Sequence, residues 1–375
     1  MIVFFALVLL VYALTIAQLV YGFGKVRPYV TKCDAVPKTF FSIVVPFRNE
    51  RENLPVLLDS IRKLQYPIDL FEIILVDDFS EDDSVRFVYN WRMENGSFQF
   101  TLLENISVTG SPKKDAIARA VPLTKDWIVT TDADCVLPEN WLATLDAYIQ
   151  QHKVAMLVGA VTYTTKKSSF LQQFQQLDLT ALQGATIGSF GLGLGFMCNG
   201  ANFAYRKSLF ESLGGFAGNK NIASGDDVFL LQKAVAAFPE KVHYLKSEAA
   251  MVTTQPTKNW SDLFQQRLRW ASKTGSYQSL FGKDLAVLVF AMNLSLILAL
   301  GCVGFGLMHW CGLAVLFGVK FIIDTLLLYK TNRFLTGKWM WFLLLSAFIY
   351  PFFCVGVAVF AIGGGYRWKG RRFKK

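Results

Sequence analysis

Charge-free runs and amphipathic runs follow one another along this chain in a readable order. Residues 2–24 carry no charged side chain, and that length matches a single helix crossing a bilayer core of roughly 30 Å. The run opens without a basic segment and closes without a small-x-small cleavage signal, so it predicts a retained anchor rather than a signal peptide. Residues 285–319 are charge-free over 35 positions, more than one span needs. They predict a hairpin of two spans, turning near His309-Trp310-Cys311-Gly312, with the second span running to about Tyr329 and carrying Asp324 near its end. A third apolar segment, residues 339–362, is interrupted by Pro351 and followed by three glycines.

Between the first anchor and the hairpin, short apolar runs alternate with helical spacing. Phe40–Pro46, Phe71–Val76, Phe98–Leu103 and Trp127–Thr131 read as strands, while Asn49–Leu64, Ser80–Trp91 and Lys113–Val121 read as helices. Alternation of this kind predicts an α/β domain whose mainly parallel sheet is covered by helices. Residues 154–258 are less regular: a strand-like Val154–Tyr163, a Gln-rich helix near 168–183, and a glycine-loaded stretch from Gly184 to Gly200. Within it, Gly191-Leu192-Gly193-Leu194-Gly195 lacks the strand-turn-helix setting of a dinucleotide fingerprint, and it is expected to be a mobile loop or a surface near the bilayer. The predicted organisation is a 1–24 anchor, a 25–39 linker, a 40–258 catalytic domain, a 259–283 amphipathic helix at the membrane surface, a 284–330 transmembrane hairpin, a 331–338 basic loop, the 339–362 segment and a 363–375 basic tail.

Composition agrees with a membrane protein: 53% of the 375 residues are hydrophobic, too apolar for an ordinary soluble globule. Lys25, Arg27 and Lys32 after the anchor, Lys273 and Lys283 before the hairpin, and Lys330, Arg333 and Lys338 after it all favour the cytoplasmic side. The tail conflicts with this parity, because six of its last nine residues are basic and none is acidic, yet a full crossing by residues 339–362 would export it. A re-entrant or interfacial element bent at Pro351 removes the conflict, and a fourth crossing is the alternative. The net charge of +10 is therefore assigned to the anionic inner leaflet. Nucleic acid is not an expected partner, since no basic stripe with interleaved aromatics occurs in the soluble part. Cysteines 33, 135, 198, 302, 311 and 354 form neither a disulfide framework nor a paired metal spacing. In a reducing cytoplasm the sequons at Asn95, Asn105 and Asn259 are chance matches. The three histidines, 152, 243 and 309, have no acidic or nucleophilic company.

Acidic pairs recur where the strands end, which is where ligands collect in open α/β sheets. Asp132 and Asp134 are separated by one residue after a strand. Mg2+ or Mn2+ is commonly held by one or two carboxylates together with substrate phosphates, although a capped turn is the bland alternative. Asp77 and Asp78 follow Ile73-Ile74-Leu75-Val76 and suit a base or ribose, or a simple turn closed by Ser80. Gly225-Asp226-Asp227 precedes an apolar run, where a carboxylate either caps the helix or deprotonates an attacking hydroxyl. Gln266, Arg269 and Trp270 are spaced to share one helical face, as a phosphate and acceptor platform or as a membrane-surface helix. Lys113 and Lys114 open a helix within reach of a phosphate.

Together, Ser42-Ile43-Val44-Val45-Pro46-Phe47-Arg48-Asn49-Glu50, Val76-Asp77-Asp78-Phe79-Ser80, Thr131-Asp132-Ala133-Asp134, Gly225-Asp226-Asp227 and Gln266-x-x-Arg269-Trp270 resemble the pattern of glycosyltransferase family 2. The likeness is to the membrane-embedded branch that includes cellulose, hyaluronan and chitin synthases and ceramide glucosyltransferases, and it spans residues 40–270. The resemblance implies a GT-A nucleotide-sugar fold and an inverting transfer. It places Pro46, Asn49, Glu50, Asp77, Asp78, Lys113 and Asp132 around the nucleotide sugar. It assigns Asp132 and Asp134 to the metal, Asp227 to the catalytic base, and Asp226, Gln266, Arg269 and Trp270 to the diphosphate and acceptor. Asp226 stands where many relatives have Glu, and Arg48 where Tyr or His is frequent. The expected function is transfer from a UDP-sugar to a lipid or lipid-linked acceptor at a bacterial inner membrane, with the catalytic domain cytoplasmic. The alternatives are a processive polysaccharide synthase acting on a saccharide and a non-catalytic scaffold. Three or four apolar segments are few to enclose a polymer channel.

Overall fold

A computed structural model describes residues 2–31, 36–164, 169–219, 222 and 224–373, apart from the side chains of Arg367, Trp368 and Arg372. Lys32, Cys33, Lys374 and Lys375, which entered the reading of flanking charge and cysteines, lie outside the described residues. In chain order the elements are α1 (Ile2–Lys25), β1 (Phe41–Phe47), α2 (Leu54–Arg62), β2 (Phe71–Asp77), α3 (Ser84–Glu94), β3 (Gln99–Glu104), α4 (Pro112–Ala120), β4 (Trp127–Thr130), β5 (Cys135–Val136), α5 (Trp141–Gln151), β6 (Met156–Gly159) and β7 (Val161–Tyr163). There follow α6 (Phe170–Gly191), β8 (Phe203–Arg206), α7 (Lys207–Ser212), α8 (Asp226–Ala237), β9 (Val242–Leu245), β10 (Val252–Thr254), α9 (Trp260–Ser272), α10 (Leu280–Gly304), α11 (Trp310–Leu335), α12 (Leu343–Gly363), β11 (Tyr366–Trp368) and β12 (Arg371–Phe373). They divide into two units, residues 27–164 with 197–255 and residues 1–26 with 165–196 and 256–375.

The first unit is the α/β domain. Its seven-stranded sheet has the order β3-β2-β1-β4-β8-β6-β9. β1, β2, β3 and β4 are mutually parallel, β6 and β9 are parallel, and β8 runs antiparallel between β4 and β6. Strand β1 is buried at nearly every position, as expected where helices cover both faces of a parallel sheet. Ile43, Val45, Ile73, Leu75, Trp127 and Val129 pack with Leu57, Leu58, Ile61, Trp141 and Leu142 in one core. The helix expected over Asn49–Leu64 is shorter, because residues 50–53 form turns on the Glu50 carbonyl and Pro55 fixes the first helical turn.

Pro46 sits in a central strand, a place where a missing N–H is normally costly. The β1–β4 ladder ends at Val44 with Thr130, two residues before Pro46. Beyond that point the two strands part, which is the switch point where open sheets place their ligands.

The second unit is helical. Four of its helices, α1, α10, α11 and α12, are long and apolar enough to cross a membrane by length and composition. The hairpin turn falls at residues 305–309 rather than 309–312, where Gly306 takes a left-handed φ of 70° and His309 caps α11 by accepting from the Cys311 N–H. The glycine stretch is helical in its first part, where α6 runs through Gly184, Gly188 and Gly191, and non-helical over residues 192–199. Glycine breaks helices in water, but against another helix it lets two backbones approach. Gly188 faces the Leu19 carbonyl of α1, and Gly184 faces Thr331 and Leu327 of α11.

Inside this unit Lys320 pairs with Asp324 at 2.6 Å, and the Tyr12 hydroxyl donates to the other Asp324 oxygen at 2.7 Å. The sequence reading noted Asp324 and overlooked Lys320, whose charge it neutralises. The segment around Pro351 is one unbroken 21-residue helix with the proline inside it. Its second half lies beside α9: Phe264 meets Phe353 and Phe360, and Leu268 packs with Val357, Ala361 and Tyr366. The hairpin of β11 and β12 folds back onto the same surface, with Tyr366 stacked on Phe373.

A methyl group at Gly188 would stand 2.5 Å from the Leu19 carbonyl oxygen, whereas one at Gly318 meets nothing within 4 Å. Gly188→Val is expected to destabilise the full chain in detergent by about 1–3 kcal/mol, and Gly318→Val by far less. Thermal unfolding of the two variants side by side checks this.

Candidate active site

Two laced loops close the carboxyl ends of β1 and β2. Asn49 takes a left-handed φ of 52°, uncommon outside glycine. The turn is held because its N–H donates to Ser80 Oγ at 3.0 Å and its Oδ1 accepts from the Glu81 N–H at 2.7 Å. Glu50 is buried, its N–H donating to Ser84 Oγ at 2.9 Å and its carboxylate accepting from Asn53 Nδ2. Arg48 bridges the loops, donating to the carbonyls of Asp78 and Phe79 and to Glu81 Oε1. Asp77 accepts the Ser80 N–H at 3.1 Å. Burial raises the Asp77 carboxyl above its ordinary pKa, against the lowering effect of the Ser80 hydrogen bonds.

Asp78 leads on to the rest of the site. Its Oδ1 accepts from Asn105 Nδ2 at 2.8 Å, and the same amide nitrogen donates to the Pro112 carbonyl at 3.1 Å. Pro112 opens α4, and the next residue is Lys113. Lys113 Nζ donates to Asp132 Oδ1 at 2.7 Å and lies 3.4 Å from Asp226 Oδ2. Burial alone would lower this lysine, but the charges of Asp132, Asp226 and Asp227 outweigh it and hold the ammonium well above its ordinary value.

Asp226 and Asp227 form the first turn of α8, where the helix dipole favours negative charge. Gly225 makes this entry possible with a φ of 87°. Asp227 Oδ2 accepts the Gly200 N–H at 2.8 Å and Oδ1 accepts the Val228 N–H at 2.7 Å. A carboxylate offers about four lone-pair sites, so two backbone donors aim Asp227 without exhausting it. Gly200 is wedged in the cluster: a methyl there would stand 3.3 Å from both Lys113 Nζ and Asp226 Oδ2.

Asp132 and Asp134 are both half-buried, with buried Ala133 between them. Among the described residues, no group of three or more His, Cys, Asp or Glu side chains is arranged to hold a metal ion. Two accessible carboxylates nonetheless fit a hard divalent ion that takes its remaining ligands from phosphate and water.

The structure therefore brings together Lys113, Asp132, Asp226 and Asp227, and links them through Asn105 to the loops bearing Pro46, Asn49, Glu50, Asp77 and Asp78. Asn105 and Gly200 were not recognised from sequence. Asn105 looked like a stray sequon and Gly200 like one more glycine in a flexible run, and no local pattern marks either.

Gln266, Arg269 and Trp270 belong to α9 in the helical unit. There Arg267 donates to Gln266 Oε1 and lies 4.2 Å over the Trp270 ring. Arg267 is buried and paired with Asp178 Oδ2 at 2.5 Å. A buried carboxylate on α6 requires a cation, and Arg267 supplies it.

The family model for glycosyl transferase family 2 matches residues 42–214. The poly(ribitol-phosphate) beta-N-acetylglucosaminyltransferase TarS of Staphylococcus aureus is 27% identical over 118 residues, 32% of this chain and 20% of its own. A beta-monoglucosyldiacylglycerol synthase of Trichormus variabilis is 25% identical over 246 residues, 64% of this chain and 49% of its own. The chain thus spans between a fifth and half of the length of these curated relatives. In fold it resembles a mannosyltransferase from Pyrobaculum calidifontis in complex with GDP-Man and Mn2+. The TM-score is 0.60 at 16% identity, covering 96% of this chain and 99% of that one. The architecture is that of the GT-A fold with added apolar helices.

Because the folded-state value of Lys113 is raised, its ion pairs contribute stability at and below the ordinary lysine pKa of 10.5. They are lost only as pH climbs above it. Lys113→Met leaves the three carboxylates without their cation and is expected to cost roughly 1–3 kcal/mol at pH 7.5, less than a fully buried pair because Asp132 is partly exposed. Acidification or millimolar Mg2+ should restore part of the loss, which thermal melts across pH and metal concentration would show.

Proposed function

On the premise that the chain carries a glycosyl transferase family 2 domain, we propose that it transfers one sugar from a nucleoside-diphosphate sugar, a UDP-sugar, to a hydroxyl of a membrane lipid or lipid-linked acceptor. The observation that carries this reading is the gathering of Lys113, Asp132, Asp226 and Asp227 at the carboxyl end of the sheet, in a chain with four membrane-length apolar helices. The relative whose name specifies a diacylglycerol product matches 246 residues, against 118 for the relative whose name specifies a polymer.

Asp227 is aimed by the N–H groups of Gly200 and Val228 and takes the proton of the acceptor hydroxyl. The acceptor oxygen forms its bond to the anomeric carbon as the bond from that carbon to the diphosphate oxygen breaks, which inverts the configuration. The departing nucleoside diphosphate leaves as an anion and needs no acid. Lys113, now shared by Asp132 and Asp226, supplies positive charge to the diphosphate. The loops of Asn49, Glu50, Asp77 and Asp78 enclose the nucleotide. Asp132 and Asp134 would hold Mg2+ or Mn2+, which when bound neutralises charge on the diphosphate oxygens. Diphosphate and acceptor roles for Gln266, Arg269 and Trp270 rest on their motif.

The catalytic domain is placed on the cytoplasmic side of a bacterial inner membrane. The packing of the basic tail hairpin onto α9, which leads into α10, supports an interfacial course for α12 that keeps the tail on that side.

Asp227→Asn is expected to keep donor affinity and lose about 10²- to 10⁴-fold in transfer; unchanged turnover removes the residue from its role. Labelled UDP-sugars offered to membranes should yield a lipid product carrying one sugar. A ladder of lengths would establish polymer synthesis instead, and release of no nucleoside diphosphate from any donor would leave a scaffold.

A further inference from the structure

The two lysines that open α4 point to different tasks. Lys113 meets the carboxylates, while Lys114 is 1% exposed and reaches the backbone that delivers them. Its Nζ donates to the carbonyls of Asn219 at 2.7 Å and Ile222 at 2.8 Å, and stands 5.2 Å from the centre of the Phe229 ring. These contacts bracket Asp226 and Asp227 in the chain, two before them and one just after. The buried carboxamide oxygen of Asn219 accepts no hydrogen bond among the described residues.

A second lysine treats the preceding stretch in the same way. Lys233 Nζ donates to the carbonyls of Leu213, Gly215 and Ala217, but it is on the body of α8 and its contacts end well before the carboxylates. Burying an ammonium group is costly unless its hydrogen bonds are made. A hydrophobic side chain would fill the space under this segment, so the cost at Lys114 has to be offset by what the cation holds in place.

We propose that Lys114 is a positioning residue for the transfer reaction, setting the height and direction of Asp226–Asp227 relative to Lys113. It does so from the same helical turn that presents Lys113. The two lysines therefore tie the base-bearing turn to the diphosphate-bearing one, with α4 as the rigid spacer. A misplacement of about 1 Å in such a geometry can cost on the order of 100-fold in rate, while donor binding, which relies on the loops of β1 and β2, is spared. The proposal rests on Asp227 being the base.

The test uses the full chain in lipid nanodiscs, comparing wild type with Lys114→Met, Lys114→Arg and Lys233→Met. Arginine keeps the charge but presents a planar fork in place of a compact ammonium group, so that variant is expected to fold even where the methionine does not. Lys114→Met and Lys114→Arg should lower kcat by roughly 10- to 100-fold with donor KM nearly unchanged, and should change the pH profile of kcat. Amide exchange should rise in peptides covering residues 213–228 and nowhere else. Lys233→Met should raise exchange in the first part of that segment and leave kcat within about twofold. The proposal is overturned if both Lys114 variants retain wild-type kcat, or if kcat, donor affinity and exchange across the whole domain fall together as in general destabilisation. The exchange measurement needs no turnover: local loosening in a protein that transfers no sugar would sink the proposed function while leaving the tether intact.

Discussion

One ammonium group among three carboxylates is the constraint around which the α/β domain is arranged. Asp132 arrives at the end of β4, Asp226 and Asp227 at the start of α8, and the two sites are separated by 94 and 95 positions in the chain. Carboxylates this close repel one another strongly wherever water is limited. Lys113 turns that repulsion into cohesion, and the helix dipole of α8 and the Gly200 N–H share the task. The same feature makes the site receptive. Under the proposed function, a diphosphate arriving with a divalent ion would bring charges of both signs, and each side of the cluster would then have a new partner.

The fold was legible in sequence to the extent that its elements bury both faces. β1, β2 and β4 are continuous apolar runs in a parallel sheet, so their boundaries fell within a residue or so of those expected. β8 was missed because four residues following a glycine-rich stretch carry too little pattern, and an antiparallel strand inserted between β4 and β6 interrupts the alternation. The glycines of α6 were misjudged for a related reason. Their meaning depends on partner helices 143 or more positions away in the chain, which no local window contains.

The site shows the same division. Acidic residues at strand ends stand out in sequence because they recur after several strands, whereas any one pair could be an ordinary turn or cap. What sequence does not display is the main chain that organises them: the N–H of Gly200, the amide of Asn105 that joins Asp78 to α4, and the carbonyls gathered by Lys114. Arg267 illustrates a further limit. Motif spacing drew attention to Arg269 and passed over Arg267, whose guanidinium answers the buried charge of Asp178 and also meets Gln266 and one face of Trp270.

The helical unit bears on the choice between lipid and polymer as acceptor. A conduit for a sugar chain needs polar side chains turned toward a water-filled lumen. Here several polar groups are matched to one another within and between helices. Asp178 is answered by Arg267, Asp324 by Lys320 and Tyr12, and Gln175 by the backbone and hydroxyl of Thr257. Pairing of this sort costs desolvation and returns it only when geometry is good and the surroundings stay dry. Such pairs serve to register α1 on α11 and α6 on α9, and they would be poor walls for a hydrated channel. An acceptor approaching from the bilayer, with its hydroxyl at the headgroup level, requires no such lumen.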